Sequence, residues 1–317
     1  MTGPLVLVVP VYNEAALIGE SLPQILQAAR AAVRSAGLDL PVRLLAVDDG
    51  SSDGTRASLA RLKAQDDAIG FISFTRNFGK EAAIHAGLQQ ACGPLQARVM
   101  VVIDADLQHP PQLIGTMLEH WRGGAAVVEA VKQLRGDESA LRRLAARAFY
   151  GTFTRLSGMA LDQDTDFKLL DRDVALAVLR LDERARFFRG IVRWLGYPAV
   201  RVGFDVAERA GGQTRWSLWA LARYAWRNLT AFSSAPLGLV TGLGAVGLVV
   251  GVVLAAKALL DKLQGQALTG FSTVILLQVI FGSLILLALG IIGNYVARIY
   301  DELKQRPHYV IRPEDIA

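Results

Sequence analysis

Arg98-Val99-Met100-Val101-Val102-Ile103-Asp104-Ala105-Asp106-Leu107-Gln108 joins an unbroken apolar run to two acidic residues, two positions apart. A short continuous apolar run suits a strand buried on both faces, as in a mostly parallel sheet. Three more segments read as strands: Leu5–Val9, Val42–Val47 and Gly70–Phe74. Between and beyond them, amphipathic stretches at about 15–35, 54–66, 80–91 and 111–122 read as helices. The alternation predicts an α/β layered domain. In such sheets ligands bind beyond the carboxyl ends of the strands. Tyr12-Asn13-Glu14, Asp48-Asp49 and Asp104–Asp106 all fall on that edge.

The 317 residues allow one large domain, or a domain plus a membrane module. A net charge of +5, with no zinc-finger spacing, RNP motif or dense Lys/Arg run, argues against a nucleic-acid partner. Anionic lipid headgroups or phosphates fit that charge better. Cys92 is the single cysteine, so no intrachain disulfide can form, which fits a reducing compartment. The apolar run near Met1 lacks the basic leader of a signal peptide and reads as a buried first strand.

Hydrophobic residues make up 52% of the chain but are not evenly spread: 263–297 carries no charge at all. Two uncharged spans, about 236–256 and 271–297, each reach the roughly 20 residues needed to cross a bilayer core. A buried helical hairpin is the competing reading. Ahead of them, Trp216, Trp219 and Trp226 interleave with Arg215, Arg223 and Arg227. That pattern suits a helix lying in the membrane interface, or an ordinary surface helix. Arginines before the first span, and Arg298, Lys304, Arg306 and Arg312 after the second, put both flanks on the cytoplasmic side. The expected organisation is a domain at 1–212, an interfacial helix at 213–234, two transmembrane helices at 235–297 and a tail at 298–317. Gly238-x-x-x-Gly242 and Gly247-x-x-x-Gly251 are compatible with self-association of helices.

Residues two apart on a strand point the same way, so Asp104 and Asp106 repel unless a cation lies between them. Mg²⁺ or Mn²⁺ is the natural guest, because hard cations take carboxylate oxygens and share their coordination with phosphates. Gln108 offers a further oxygen. Such a metal would neutralise a phosphate leaving group as charge develops on it. In Asp48-Asp49-Gly50-Ser51-Ser52-Asp53-Gly54, Asp53 reads as a helix cap, and one of Asp48 and Asp49 as the acceptor for a base N–H. Tyr12 and Glu14 are placed to pack on or bond a nucleoside. Lys80, after Arg76-Asn77-Phe78-Gly79, is open to a phosphate contact or to a surface ion pair.

Pro10–Glu14, Asp48–Gly54, Arg76–Lys80 and Asp104–Gln108, in that order, resemble the inverting family-2 glycosyltransferases with the GT-A fold. Asp166–Asp171, Glu183–Gly190, Ala207–Arg215 and Arg298–Pro307 are similar to the polyprenyl-phosphate glycosyltransferases within it, the bactoprenol glucosyltransferase and dolichol-phosphate mannose synthase relatives. The resemblance covers nearly the whole chain. It implies a nucleotide-diphosphate sugar donor, with UDP-glucose the first expectation. It places a metal at Asp104, Asp106 and Gln108, the nucleotide at Pro10, Tyr12, Glu14 and Asp49, and a catalytic aspartate at Asp166. It also implies a polyprenyl phosphate acceptor such as undecaprenyl phosphate, membrane lipids around the enzyme, and a homo-oligomer, a tetramer in the bactoprenol branch. Thr165 departs from the glycine that relatives often carry there, which puts the turn beside Asp166 in question.

A phosphate monoester has a second pKa of about 6 and is mostly a dianion at neutral pH. It is already a nucleophile, so Asp166 either positions the acceptor or takes its last proton. Arginine matches phosphate bidentately, which makes Arg186, Arg189 and Arg209 candidate ligands for the acceptor; a solvated basic face is the alternative. Lys168 joins them if its segment is extended, since it then shares a side with Asp166. A polysaccharide synthase is a second reading, but Gly190-Ile191-Val192-Arg193-Trp194 lacks the glutamine of the Gln-x-x-Arg-Trp those enzymes carry. A non-catalytic membrane scaffold is a third, against which the intact acidic cluster stands.

Overall fold

Every residue of the first strand, β1 (Leu5–Val11), is buried. Its side chains alternate between two cores: Leu5, Leu7, Val9 and Val11 enter one, Val6 and Val8 the other. A strand with helices on both faces requires this unbroken apolar run. The computed structural model describes residues 3–132, 164–181, 183–184, 186–204, 235–264 and 271–315. Two units can be separated. One holds the described residues up to 204 together with those from 306 on; the other holds the two long C-terminal helices.

In the first unit, β2 (Val42–Asp48), β3 (Ile69–Ser73), β4 (Val99–Val102), β5 (Val127–Lys132), β6 (Asp164–Asp171) and β7 (Ala199–Phe204) join β1 in one sheet. The order is β3-β2-β1-β4-β6-β5-β7. Neighbours run parallel except at β6, which is antiparallel to both β4 and β5. The α/β class and mostly parallel sheet match the expectation. Helices α1 (Ile18–Ser35), α2 (Thr55–Gln65) and α4 (Leu113–Arg122) contribute to one core. Helices α3 (Lys80–Cys92), α5 (Arg172–Arg180) and α6 (Phe188–Trp194) contribute to the other. In α1 the buried residues Ile18, Leu22, Ile25, Leu26, Ala29 and Val33 recur at helical spacing and form one stripe.

Pro10 lies inside a central strand without breaking it. Val8 O accepts from Ile103 N–H on the β4 side, and Val11 O accepts from Asp49 N–H on the β2 side. By this alternation Pro10 faces the β4 flank, where pairing has already ended at Val8. Its missing N–H therefore forfeits no ladder bond.

The second unit contains α7 (Ala235–Leu263) and α8 (Phe271–Leu303). Among the described residues one stretch, Ile280–Leu303, is long and apolar enough to cross a membrane, where two had been expected. The apolar stretch in α7 is shorter, Val240–Leu254. Gly247 faces α8: a Cβ there would lie 3.4 Å from the Phe281 ring. That glycine lets α7 and α8 pack closely within the chain. The expected interfacial helix at 213–234 lies outside the described residues.

Candidate active site

The chain runs from β1 outward to β2 and β3, then crosses to the other side of β1 to form β4. The order reverses between β1 and β4, and open α/β sheets bind ligands at such a switch point. A cleft of about 330 Å³ opens there, lined by Pro10, Tyr12, Glu14, Asp49, Asn77, Lys80, Asp104 and Asp106 among others. Of the residues expected at a nucleotide site, Asp48 alone does not line it. Asp48 is 1% exposed and turned inward, its Oδ1 accepting from Ser51 N–H.

The loops that carry these residues are locked to one another. Asn13 sits at a φ of 53°, with its N–H donating to Ser51 Oγ and its Oδ1 accepting from Ser52 N–H. Glu14 N–H donates to Thr55 Oγ1. Asp53 is not the helix cap expected of it, since Gly54 holds the N-cap position of α2; it ties two loops together instead, accepting from Ala15 N–H and Thr55 N–H. Asp49 accepts from the N–H groups of Phe78 and Gly79 at 2.6 and 2.9 Å. It therefore anchors the loop leading to Lys80. Its remaining lone pairs are what it can offer a base. Burial, opposed by these two bonds, pushes its pKa up.

Asp104 and Asp106 lie in the turn after β4, not on the strand as expected, and Leu107 beyond them has a φ of 56°. The turn is held by Gln108 N–H donating to Asp106 Oδ1. Val102 of β4 pairs with Lys168 of β6 in antiparallel register. Two residues further on, that register sets Asp104 against Asp166. Lys80 Nζ bridges the pair, 2.5 Å from Asp104 and 2.7 Å from Asp166. Arg189 closes on Asp166 from α6 through two bonds of 2.6 and 3.0 Å. Burial alone would raise the Asp166 pKa. The Arg189 hydrogen bonds and the Lys80 charge outweigh it and hold this carboxyl well below the usual range.

Glu14 has no such partner. Burial, then the charges of Asp106 and Asp104, push its pKa up to about 7. Its Oε2 is buried without a hydrogen-bond partner. Among the described residues no three His, Cys, Asp or Glu side chains form a ready metal cage. The donor chemistry suits a hard divalent cation: the Asp104, Asp106 and Glu14 carboxylates line one cleft, and Glu14 Oε2 is without a hydrogen-bond partner.

The candidates for an acceptor phosphate are dispersed. Arg189 is bonded to Asp166, which Lys80 joins to the cleft. Arg186 donates to Val178 O at the end of α5. Lys168 does share a strand face with Asp166, but it is 0% exposed and bonded to Glu129 at 2.6 Å. Its expected lipid-phosphate role is corrected: the ammonium is consumed in a buried ion pair. Arg209 lies outside the described residues.

Two contributors were not anticipated from the sequence. Glu81 Oε2 accepts from Phe188 N–H at 2.7 Å and so fixes the start of the helix carrying Arg189. Burial pushes the Glu81 pKa up to about 7. His109 lies 3.7 Å from Asp104, and burial lowers its pKa. Glu81 left one signal, an acid beside Lys80 at a helix start; His109 left only its place next to Gln108.

An acidic cleft with a cationic side chain in it thus opens at the switch point of a mostly parallel sheet. The chain belongs to glycosyl transferase family 2, whose family model matches residues 6–182. It is 36% identical to an uncharacterized glycosyltransferase of Bacillus subtilis, YkcC, over 96% of this chain and 92% of that protein. It is 33% identical to a prophage bactoprenol glucosyl transferase homolog of Escherichia coli, over 96% of this chain and 97% of that one. The bactoprenol glucosyl transferase of Shigella phage SfV is likewise 33% identical, over 97% and 98% of the two chains.

Proposed function

We propose that this transferase moves a sugar, glucose in the first instance, from a UDP-sugar to a polyprenyl phosphate at a membrane surface, on a GT-A fold. The observation that carries the reading is the Asp104–Lys80–Asp166–Arg189 chain of charges beside Asp106 and Glu14. The near full-length likeness to proteins named bactoprenol glucosyl transferases supports the lipid acceptor.

In this reading Asp104 and Asp106, with Glu14 in the same cleft and Gln108 as a further oxygen donor, would hold Mg²⁺ or Mn²⁺. When bound, the metal neutralises charge on the departing diphosphate. Pro10, Tyr12 and Asp49 receive the nucleoside. Lys80 lies between the metal site and Asp166, where its ammonium meets donor phosphate. Asp166 is held too acidic to be an effective base at neutral pH. Its work is to hold Lys80 at the donor and to orient Arg189 toward the acceptor phosphate, which needs no deprotonation as a dianion.

Both long helices act as anchors. Helix α7 carries no charge from Ala235 to Ala256, about 33 Å at 1.5 Å per residue, against a hydrocarbon core of about 30 Å. Leu248 and Leu286 are 70% and 71% exposed, and apolar surface on that scale marks a lipid-facing or partner-facing helix. The basic residues after α8 favour a cytoplasmic catalytic unit.

Equilibrium binding of UDP-glucose to the detergent-solubilised protein tests the cleft. Binding should require Mn²⁺ or Mg²⁺ and weaken with chelator. Binding that is indifferent to metal would remove the acidic cluster from the donor site, and no binding of any nucleotide sugar would favour a scaffold.

A further inference from the structure

The chain does not end idly after α8. Strand β3 is at the edge of the sheet, and the edge amides beyond it need partners. Residues 309–315 supply them. Thr75 N–H donates to Val310 O at 3.0 Å, and Arg312 N–H to Ser73 O at 2.8 Å, around an antiparallel bridge between Phe74 and Ile311. Ser73 N–H donates to Asp315 Oδ2 at 2.9 Å. The other oxygen of Asp315 is 3.0 Å from Arg56, and the Asp315 side chain is 7% exposed. Tyr309 stacks on Phe74 with ring centroids 4.9 Å apart, and its hydroxyl bonds Gln89 at 2.6 Å.

What the segment grips is the root of the cleft loop. Phe74 packs edge-on against Phe78 at 5.7 Å. Asn77, Gly79 and Lys80 line the cleft, while Asp49 holds the Phe78 and Gly79 amides. The loop from Thr75 to Lys80 is thus clamped at both ends, by Asp49 on the cleft side and by the C-terminal segment at its root. None of the segment's own residues lines the cleft.

We propose that residues 309–315 form a strap that positions the 75–80 loop for donor binding, with Asp315 and Tyr309 as positioning residues. The proposal rests on reading the cleft as the donor site. The strap touches no reacting atom, so its loss should appear in donor affinity and not in turnover.

The test uses the full chain in detergent. Asp315→Ala and Tyr309→Ala should each raise the KM for the nucleotide sugar about tenfold, the scale of one to two lost hydrogen bonds or a lost ring stack, with kcat nearly unchanged. Tyr309→Phe keeps the stack and should restore most of the affinity. Hydrogen exchange should accelerate at residues 73–80 and stay unchanged in β1 and β4. An unchanged KM in both alanine variants overturns the proposal, as does an equal loss in kcat. Should Asp315→Ala not fold, Arg56→Gln replaces it with the same expectation. Should the unmodified protein bind no nucleotide sugar, the reading of the cleft fails separately. Exchange then decides the strap: acceleration confined to 73–80 sustains it, and none overturns it.

Discussion

Replacing Lys168 by methionine separates two roles that the sequence left open for this residue. Lys168 is 0% exposed, and its Nζ is 2.6 Å from Glu129 Oε1, itself on a side chain 7% exposed. Removing the cation strands a buried carboxylate, a loss of about 3–5 kcal/mol in comparable pairs. Arg201 Nε, 3.8 Å from the other Glu129 oxygen, offsets part of this, though its side chain is 53% exposed and screened by water. We therefore expect the lower end, about 3 kcal/mol, or about two orders of magnitude in the unfolding equilibrium. The double variant Lys168→Met/Glu129→Leu removes both charges and should recover to within about 1 kcal/mol of the parent, because an apolar pair can replace a buried ion pair. Urea unfolding of the full chain in detergent, followed by far-ultraviolet circular dichroism, measures both. The KM for lipid acceptor in folded Lys168→Met should not change. Unaltered stability together with a raised acceptor KM would refute the reasoning and return Lys168 to the lipid-phosphate site.

Gly50→Ala should destabilise the cleft by about 1–3 kcal/mol, because Gly50 has a φ of 67° and a Cβ would lie 2.2 Å from the Arg76 carbonyl carbon; thermal melting and donor titration both report it. Glu14, raised to about 7 from an ordinary carboxyl value, binds a proton more tightly folded than unfolded. Its contribution is therefore present at low pH and lost as pH rises through about 7, so the metal-free protein should lose melting temperature between about pH 5 and 7.5, and Glu14→Gln should flatten that slope. Asp106→Asn should lower Mn²⁺-dependent transfer by about two orders of magnitude while far-ultraviolet dichroism stays native.

The first half of the fold was legible because its strands are unbroken apolar runs and its first helix carries one apolar stripe. Strands expected at Leu5–Val9, Val42–Val47, Gly70–Phe74 and Arg98–Ile103 appear within two residues at each end. The second half hid itself for physical reasons. Strand β6, Asp164–Asp171, buries Asp166 and Lys168, so it reads as a polar loop until its partners Arg189 and Glu129 are in place. Those partners are 23 and 39 residues away in sequence, and no local pattern announces them. The same distance explains the site. Asp104, Asp106, Tyr12 and Glu14 were readable from strand ends, whereas the use of Arg189 to hold Asp166, and of Lys80 to join Asp166 to Asp104, depends on the antiparallel register of β4 and β6. The ties of the expected tail to Ser73 and Phe74 span more than two hundred residues, so no local pattern announces them.

Sugar transfer into an organic-extractable product tests the account most directly. The full chain in detergent would meet labelled UDP- and GDP-sugars with Mg²⁺ or Mn²⁺, with and without undecaprenyl phosphate. The account predicts label in the organic phase from one UDP-sugar, dependent on both the lipid phosphate and the metal. Donor binding without lipid-dependent label from any donor would contradict the lipid acceptor and point to a growing glycan in its place.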